Sequence, residues 1–208
     1  GRLSVREAYL DVLRPAQAEL GRLWHAGELT VGEEHFATAT TASVMSQLYP
    51  YMQRRPSRGR TVVAACVEGN AHEIGLRMVA DFFEMDGWRV IYLGANVPAN
   101  DVAVACLHFD ADLLAVSAML THHLRAVSDT VRACRGLPDL DDLRIIVGGA
   151  ALREAEGLWQ EMGADGGADD ADGAVRLGAQ LVGVATDVPP PPCAPAPDAN
   201  GSTRKNGR

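Results

Sequence analysis

The spacing of apolar residues along the chain changes near residue 60. Before that point they recur every three or four positions, and after it they form short continuous runs separated by stretches with helical periodicity. The first spacing is typical of amphipathic helices, and the second of buried parallel strands that alternate with covering helices. The pattern therefore predicts a helical part followed by an α/β part.

Residues 1–55 are predicted to form a helical bundle that is short of a helix on its N-terminal side. Two helix starts carry a capping box, in which a hydroxyl and a carboxylate three residues apart each accept a backbone N–H. They are Ser4 with Glu7 and Thr30 with Glu33. Pro15 is expected to end the first helix and begin the next. The second helix is predicted to bury an apolar stripe, Leu20, Leu23 and Trp24, and to close at Gly27.

Residues 60–184 are predicted to form a five-stranded parallel doubly wound domain of the Rossmann-like, flavodoxin type. Short runs rich in β-branched and aliphatic residues are typical of its strands. The strands are predicted at 61–67, 88–94, 113–119, 143–149 and, more weakly, 165–170, with helices at 73–86, 99–109, 121–135, 150–162 and up to about 184. In such sheets ligands bind beyond the carboxyl ends of the strands.

Composition and charge narrow the class of protein. Of the 208 residues, 47% are hydrophobic. No apolar run approaches the roughly 20 residues of a membrane-spanning helix, and no signal peptide opens the chain. The net charge is −8, and the one basic run, 54–60, is expected to be a solvated connector, so direct nucleic-acid binding is not favoured.

The cysteines and the C-terminal segment indicate the setting of the protein. Cys66 and Cys106 lie in apolar stretches and are expected to be buried thiols, and the four cysteines contain no CxxC pair. This pattern favours a reducing, cytoplasmic location without a zinc site or disulfides. Residues 186–208, rich in proline and small polar residues, are predicted to be a disordered linker, as in a module tethered to something larger.

The predicted strand ends carry residues suited to a ligand site. His72 follows the first strand, Gly94 the second and Ser117 lies in the third, while Gly148 and Gly149 follow the fourth. Glycine lets the backbone approach a ligand, serine offers a small donor and acceptor, and imidazole binds a metal or a proton. The first loop is neither G-x-G-x-x-G nor a Walker A loop, so a nucleotide-phosphate site is poorly supported.

In motif order and spacing, "NAHEIG", "SAM" and "GG" within residues 60–184 resemble the cobalamin-binding module, with its pattern D-x-H-x-x-G, S-x-L and G-G. The resemblance implies that His72 is the lower axial cobalt ligand, that Ser117 contacts the buried nucleotide tail, and that the paired glycines make room for it. The cofactor-binding positions it implies here are Asn70, Glu73, Ile74, Gly75, Gly94, Ser117, Met119, Gly148 and Gly149.

Two positions depart from that pattern. Asn70 replaces the usual acid, and its carbonyl could accept the other ring N–H of the histidine without adding charge, which predicts a softer donor. Met119 replaces the usual leucine at similar volume, so little change is expected there.

The segment "WHAGELTVGEEH" resembles the signature of CarH-type adenosylcobalamin photoreceptors, in which a helical bundle covers the upper face of the corrin. The resemblance implies that Trp24 packs on the adenosyl group, that Val31 lines its pocket, and that Glu34 binds adenosyl hydroxyls with help from His35. His25 would bind cobalt from above after light has removed the adenosine. Taken alone, however, Trp24 would be interpreted as a buried residue that anchors the hydrophobic core. Glu34 and His35 would be interpreted as polar residues that cap the first turn of a helix.

Three further histidines have more ordinary interpretations. His122 and His123 follow Ser117 on the expected ligand side and would contact corrin amides or a second chromophore such as a bilin, but an exposed helix start explains them as well. His108 lies late in a predicted helix and is not expected to have a role.

These features predict a cobalamin-binding light sensor rather than an enzyme. Photolysis of adenosylcobalamin would empty the pocket under the bundle and change a subunit interface or the pull on the C-terminal linker. We expect homo-oligomers with light-dependent assembly and an output protein or fused domain, since CarH-type repressors carry a DNA-binding domain that is not evident here. The alternatives are a corrinoid methyl carrier of a methyltransferase system and, from another class, a structural adaptor. A mutase role is weaker, because no substrate barrel is present.

Overall fold

The computed structural model describes residues 3–153 and 157–185. The helical part begins with α1 (Val5–Glu7), a π-helical stretch (Ala8–Leu13) and α2 (Arg14–His25). A turn leads to α3 (Val31–Leu48), which ends in a 3₁₀ turn at Tyr49–Tyr51. The predicted bundle thus consists, in the described residues, of two long helical segments packed as a hairpin. The predicted linker 186–208, with Cys193, lies outside the described residues.

The expectation that Pro15 ends the first helix was wrong. The helical segments run on without a break, and Arg14 N–H bonds the Tyr9 carbonyl five residues earlier instead of four. Proline in a helix lacks a donor and clashes with the carbonyl four residues before it. The wider π turn before Pro15 relieves both problems, so the chain continues as a helix.

Both predicted capping boxes are confirmed, at Ser4 with Glu7 and at Thr30 with Glu33. Gly27, with φ +73°, lies in the turn after α2. The predicted apolar stripe of α2 is only partly buried, because Trp24 is 48% exposed. The core-anchor interpretation of Trp24 was therefore wrong, since this indole is not enclosed by the chain.

The α/β part is a five-stranded parallel sheet with the order β2-β1-β3-β4-β5. Its strands are β1 (Thr61–Val67), β2 (Arg89–Val97), β3 (Leu113–Ser117), β4 (Arg144–Gly148) and β5 (Gly166–Ala168). Its helices are α4 (Ile74–Met85), α5 (Ala99–His108), α6 (Leu124–Arg135), α7 (Ala150–Arg153), α8 (Leu158–Glu161) and α9 (Ala171–Leu181). The predicted fold class is confirmed, including the weak fifth strand.

Side chains that alternate along the strands feed two hydrophobic clusters, one on each face of the sheet. Val62, Ala64 and Cys66 of β1 belong to the cluster under α4 and α9, while Val63 and Ala65 belong to the one under α5 and α6. All seven residues of β1 are buried, which explains its continuous apolar sequence. The expected burial of the Cys66 and Cys106 thiols is confirmed.

Two further expectations were wrong in detail. The helix predicted at 150–162 is not continuous, because Gly157 adopts φ +80° between α7 and α8. The basic run 54–60 is a connector, but it is not simply solvated. Arg58 bonds the buried Asp86 at 2.8 Å and Arg60 bonds Asp112 at 2.6 Å, so these guanidiniums fasten the connector to the sheet domain.

The helical hairpin is attached to the sheet domain near its N-terminal end. The buried Tyr9 hydroxyl donates to Asp81 of α4 at 2.7 Å, and Arg6 pairs with Asp172 of α9. The opposite end of the hairpin, with the α2–α3 turn, carries Trp24 and Val31 in exposed positions.

Candidate functional site

The sequence-predicted ligand residues meet at the carboxyl edge of β1 and β3. Strand order reverses between these two strands, which is where open α/β sheets form ligand crevices. The loop with His72 follows β1, and Ser117 ends β3, paired in register with Cys66 on one side and Gly148 on the other. The sheet thus brings together residues that are far apart in sequence.

Asn70 orients His72 through its side-chain amide. The Asn70 Nδ2 donates to the Ser117 carbonyl at 3.0 Å, which fixes the direction of the amide because a carbonyl can only accept. The Asn70 Oδ1 therefore faces His72, where it lies 3.1 Å from the backbone nitrogen and 3.3 Å from Nδ1. Asn70 is fully buried, whereas His72 is exposed.

This contact sets the tautomer of His72. Since Oδ1 is an acceptor, Nδ1 must carry the proton, and a neutral imidazole then has its lone pair on Nε2. Among residues 3–153 and 157–185, no three side chains of the usual metal-binding types come together. A single exposed imidazole nitrogen suits a metal whose other positions are filled by a macrocycle, so the donor set fits a corrin-bound cobalt.

Glu73 occupies a network of its own beside His72. Its Oε2 accepts the Tyr92 hydroxyl at 3.1 Å, and a Cβ added to Gly94 would lie 3.2 Å from that same oxygen. Gly94 therefore makes room for the Glu73 carboxylate. Burial, helped by the charge of Glu73, raises the pKa of the Cys66 thiol to about 12, so this thiol stays protonated. Ile74 and Gly75 form the first turn of α4 directly after this pair.

Gly148 and Gly149 are required by the close approach of neighbouring backbone. A Cβ on Gly149, which has φ +102°, would lie 2.2 Å from the Ala118 carbonyl oxygen. One on Gly148 would lie 2.8 Å from that of Ala168. The structure thus gives both glycines a local reason, independent of the room for a nucleotide tail that the sequence motif implies.

The residues implied for the upper face lie around the turn of the hairpin. His25 ends α2 next to Trp24, and Val31, 57% exposed, begins α3. The Glu34 carboxylate accepts the Thr38 hydroxyl at 2.7 Å and contacts His35 Nδ1 at 2.7 Å. Both carboxylate oxygens of Glu34 thus have partners on α3 itself, and the implied role of Glu34 and His35 in binding adenosyl hydroxyls stays a prediction.

The Glu34 carboxylate is stabilised in its charged form by its neighbours. The hydrogen bond from Thr38, with smaller contributions from His35 and His72, lowers the pKa of Glu34, although partial burial opposes the change. A charged carboxylate is an acceptor for hydroxyl groups.

The histidines after Ser117 differ from each other. His122 is exposed, but His123 is only 3% exposed, so the expectation of an exposed helix start was wrong for His123. Its ring packs near Gly69, and burial, with the neighbouring His122 and His72, lowers its pKa. Met119 is exposed beside them, and the His108 ring makes an edge-to-face contact with Phe109 at the end of α5.

Sequence reasoning missed two residues of this region. Tyr92 anchors Glu73, and Asn96 bonds the loop that carries His72. A signal for Asn96 was available in "LGANVP". Apart from glycine, asparagine is one of the few residue types that tolerate left-handed backbone, as at an irregular strand end. Nothing in the sequence singled out Tyr92 from other strand aromatics.

A large cavity lies at the opposite, amino edge of the sheet. It measures about 480 Å³ and is lined by charged residues that include Arg60, Asp112 and Arg144. A much smaller one, about 50 Å³, lies between α3 and the Glu73–Tyr92 pair. We assign the ligand site to the carboxyl edge because the imidazole and its orienting amide converge there, whereas the amino-edge cleft opens among ion-paired side chains.

Comparison with known proteins gives two matches to B12 binding domains, over residues 60–176 and residues 2–49. The HTH-type transcriptional repressors CarA and CarH of Myxococcus xanthus are each 32% identical to this chain over 71% and 75% of it. The chain spans about half of their lengths, 49% and 51%. Dimethylamine corrinoid protein 1 of Methanosarcina acetivorans is 27% identical over 88% of this chain and 85% of its own.

The monomethylamine corrinoid protein of Methanosarcina barkeri has the same fold, with a TM-score of 0.73 over 86% of this chain and 84% of its own at 20% identity. Within the described residues, no helix has the length and apolar character needed to cross a membrane. The family matches cover both the helical part and the sheet, and the sheet match includes the His72 loop, Ser117 and the paired glycines. This chain therefore belongs to the B12-binding domain family and binds cobalamin.

Proposed function

We propose that this chain is a light-responsive adenosylcobalamin sensor, with the sheet domain holding the cofactor from below and the α2–α3 hairpin covering it. The carrying observation is the group of side chains at the hairpin turn, where Trp24 is 48% exposed and the Glu34 carboxylate contacts His35 Nδ1 at 2.7 Å. The similarity to CarA and CarH and the segment "WHAGELTVGEEH" support the choice of cofactor and role.

In this proposal each side chain has a definite task. His72 offers Nε2 to cobalt while Asn70 holds Nδ1, and Ser117, Gly148 and Gly149 line the path of the nucleotide tail. Bound adenosylcobalamin supplies a cobalt–carbon bond that visible light breaks. Trp24, which is half-exposed, gains apolar contact from the adenosine, and Val31 closes the same pocket. Glu34, with His35, would accept hydrogen bonds from ribose hydroxyls, and His25, at the end of α2, would bind cobalt once the adenosyl group is lost.

The output follows from the loss of that contact. When adenosine leaves, the exposed indole and the hairpin lose the ligand that favoured their dark position, so the hairpin moves by as much as that preference allows. We propose that this movement changes an interface between copies of the chain or with an output protein or fused domain.

An absorption experiment tests the sensor. The purified protein is loaded with adenosylcobalamin in darkness, and its spectrum is recorded before and after visible light. We expect a light-induced change in wild type, a different light product in His25→Ala, and loss of the imidazole-ligated spectrum in His72→Ala. An unchanged wild-type spectrum after light would reject sensing, and an identical light product in His25→Ala would reject the upper-ligand role.

A corrinoid methyl carrier is the second candidate. The observation in its favour is the similarity to dimethylamine corrinoid protein 1, which is 27% identical over 88% of this chain. A methyl carrier has no need of an indole and a carboxylate suited to a nucleoside. We therefore expect dark affinity for adenosylcobalamin to exceed that for methylcobalamin, with the difference reduced in Trp24→Ala. Equal affinities would favour the carrier.

A further inference from the structure

Asn96 holds the loop that carries His72 through two hydrogen bonds to the backbone of that loop. Its Oδ1 accepts the Gly69 N–H at 2.7 Å, and its own N–H donates to the Asn70 carbonyl at 3.0 Å. These bonds lie on either side of Asn70, the residue whose amide contacts His72 Nδ1. Asn96 therefore fixes the backbone from which the orienting amide projects.

The strand is irregular at this point. Ala65 pairs with Gly94 and Val67 with Val97, so Ala95 and Asn96 together oppose the single residue Cys66. Asn96 itself has φ +54°, and among described residues other than glycine only Asp110 shares a positive φ. Bulges of this kind redirect a side chain, and left-handed backbone persists where the surroundings require it. Here the redirected side chain is the one that bonds the ligand loop.

Asn96 lies outside the hydrophobic clusters. Its side chain is exposed, and the buried residues of both faces of the sheet do not include it. A structural role in the core therefore does not explain its conformation. Its contacts go instead to the two residues that precede the His72 turn.

We propose that Asn96 is a positioning residue for the cobalt ligand, holding the Gly69–Asn70 backbone so that the amide of Asn70 and the imidazole of His72 are set before the cofactor arrives. This inference rests on the proposed function in one respect, namely that His72 ligates cobalt from below. Groups that orient a metal ligand through a second contact typically change metal affinity by about 10–100-fold when they are removed.

Two substitutions at position 96 distinguish the role of the side-chain acceptor from that of the left-handed backbone conformation. Asn96→Gly keeps the left-handed conformation and the N–H but removes the acceptor for Gly69. Asn96→Asp keeps both the conformational tolerance and an acceptor. Asp110→Gly is the matched control, because it removes a side chain at the other left-handed position, on the amino edge of the sheet.

Two measurements are made on each variant. The exchange rate of the Gly69 amide is followed by NMR in the apoprotein, without any cofactor. Binding of aquacobinamide, a corrinoid without the nucleotide tail, is followed by absorption, because its imidazole ligation is independent of the tail pocket. We expect Asn96→Gly to speed Gly69 exchange about tenfold and to weaken aquacobinamide binding by about tenfold or more. Asn96→Asp and Asp110→Gly should remain close to wild type.

The possible results are distinct. If Asn96→Gly binds aquacobinamide as wild type does, or leaves Gly69 exchange unchanged, the positioning role is overturned. If Asp110→Gly weakens binding as much as Asn96→Gly, the effect is general and the role is again overturned. His72→Ala separates the two proposals: wild-type binding by that variant would reject lower ligation itself, whereas loss there with normal Asn96→Gly binding would reject only the role of Asn96.

Discussion

Asn70 does more in this chain than replace an acid with a neutral acceptor. Its Nδ2 is used by the Ser117 main-chain carbonyl, so the amide joins the end of β3 to the loop after β1. A carboxylate could receive the His72 N–H but could not make the bond to Ser117. Asn70 therefore stabilises the carboxyl edge of the sheet as well as orienting His72.

Asn70→Asp should destabilise the apoprotein even though it recreates the D-x-H-x-x-G pattern. We expect the free energy of unfolding to fall by about 1–3 kcal/mol, because a buried donor bond is lost and a carboxylate oxygen faces a carbonyl. Urea denaturation of the apoprotein measures the difference. Ser117→Ala is the control and should unfold like wild type, since the bond uses the main chain of Ser117. Equal stability of Asn70→Asp and wild type would show that the amide donor is dispensable.

At the candidate site, the sequence pointed to residues at strand ends more readily than to residues that contact the neighbouring loops. His72 and Ser117 follow from their places after apolar runs, because parallel strands bring their carboxyl ends to one edge. Asn96 depends on a bulge in β2, and Gly94 on the side chain of Glu73. Such contacts arise from tertiary geometry, which hydrophobic spacing does not encode. The same is true of His123, buried by the loop against which it packs.

Among the secondary-structure elements, the strands were predicted closely, because β1, β3 and β4 are mostly buried apolar runs bounded by turns. The errors fall where one residue changes local geometry. Pro15 is absorbed by a π turn and does not stop the helix, and Gly157 separates α7 from α8. Both outcomes depend on neighbouring backbone, so the residue type alone could not decide them.

The attachment of the hairpin to α4 has a pH-dependent component at Asp81. Burial raises the pKa of this carboxyl, although the Tyr9 hydroxyl and Arg77 oppose the change. A raised folded-state pKa means that folding favours the protonated form. Its stabilising contribution is therefore complete below the unfolded pKa of about 3.9 and is lost as pH rises through the folded value.

Asp81→Asn should remove that dependence while keeping an acceptor for Tyr9. We expect the free energy of unfolding of the variant, relative to wild type, to increase as pH rises from below about 4 through the folded pKa of Asp81, and then to level off. Denaturant unfolding at a series of pH values measures the difference. Asp11→Asn, at an exposed site on the π-helical stretch, is the control and should track wild type. A constant difference between Asp81→Asn and wild type would contradict the assignment.

Two edges of the sheet are candidates for a ligand site, the carboxyl edge and the amino edge. A ligand at each edge would protect different segments of the chain from amide exchange. In the proposed arrangement, a ligand at the carboxyl edge contacts both the His72 loop and the hairpin turn, which are far apart in sequence. A ligand in the amino-edge cleft, about 480 Å³, contacts neither. Ligand binding stabilises the elements it bridges, so amide exchange can decide between the two.

We expect adenosylcobalamin, added in darkness, to slow amide exchange in residues 68–75 and 23–35 and to leave residues 138–144 at the amino edge unchanged. Light should then speed exchange in residues 30–35, which lose the proposed adenosyl contact, while 68–75 and the residues around His25 stay protected by the proposed lower and upper imidazole ligands. Mass-detected hydrogen exchange measures all three segments in one sample, and Trp24→Ala should reduce the dark protection of 23–35 alone. Protection confined to 138–144 would move the site to the amino edge. Protection of 68–75 that never extends to the hairpin would leave a cobalamin-binding domain whose helices take no part in sensing.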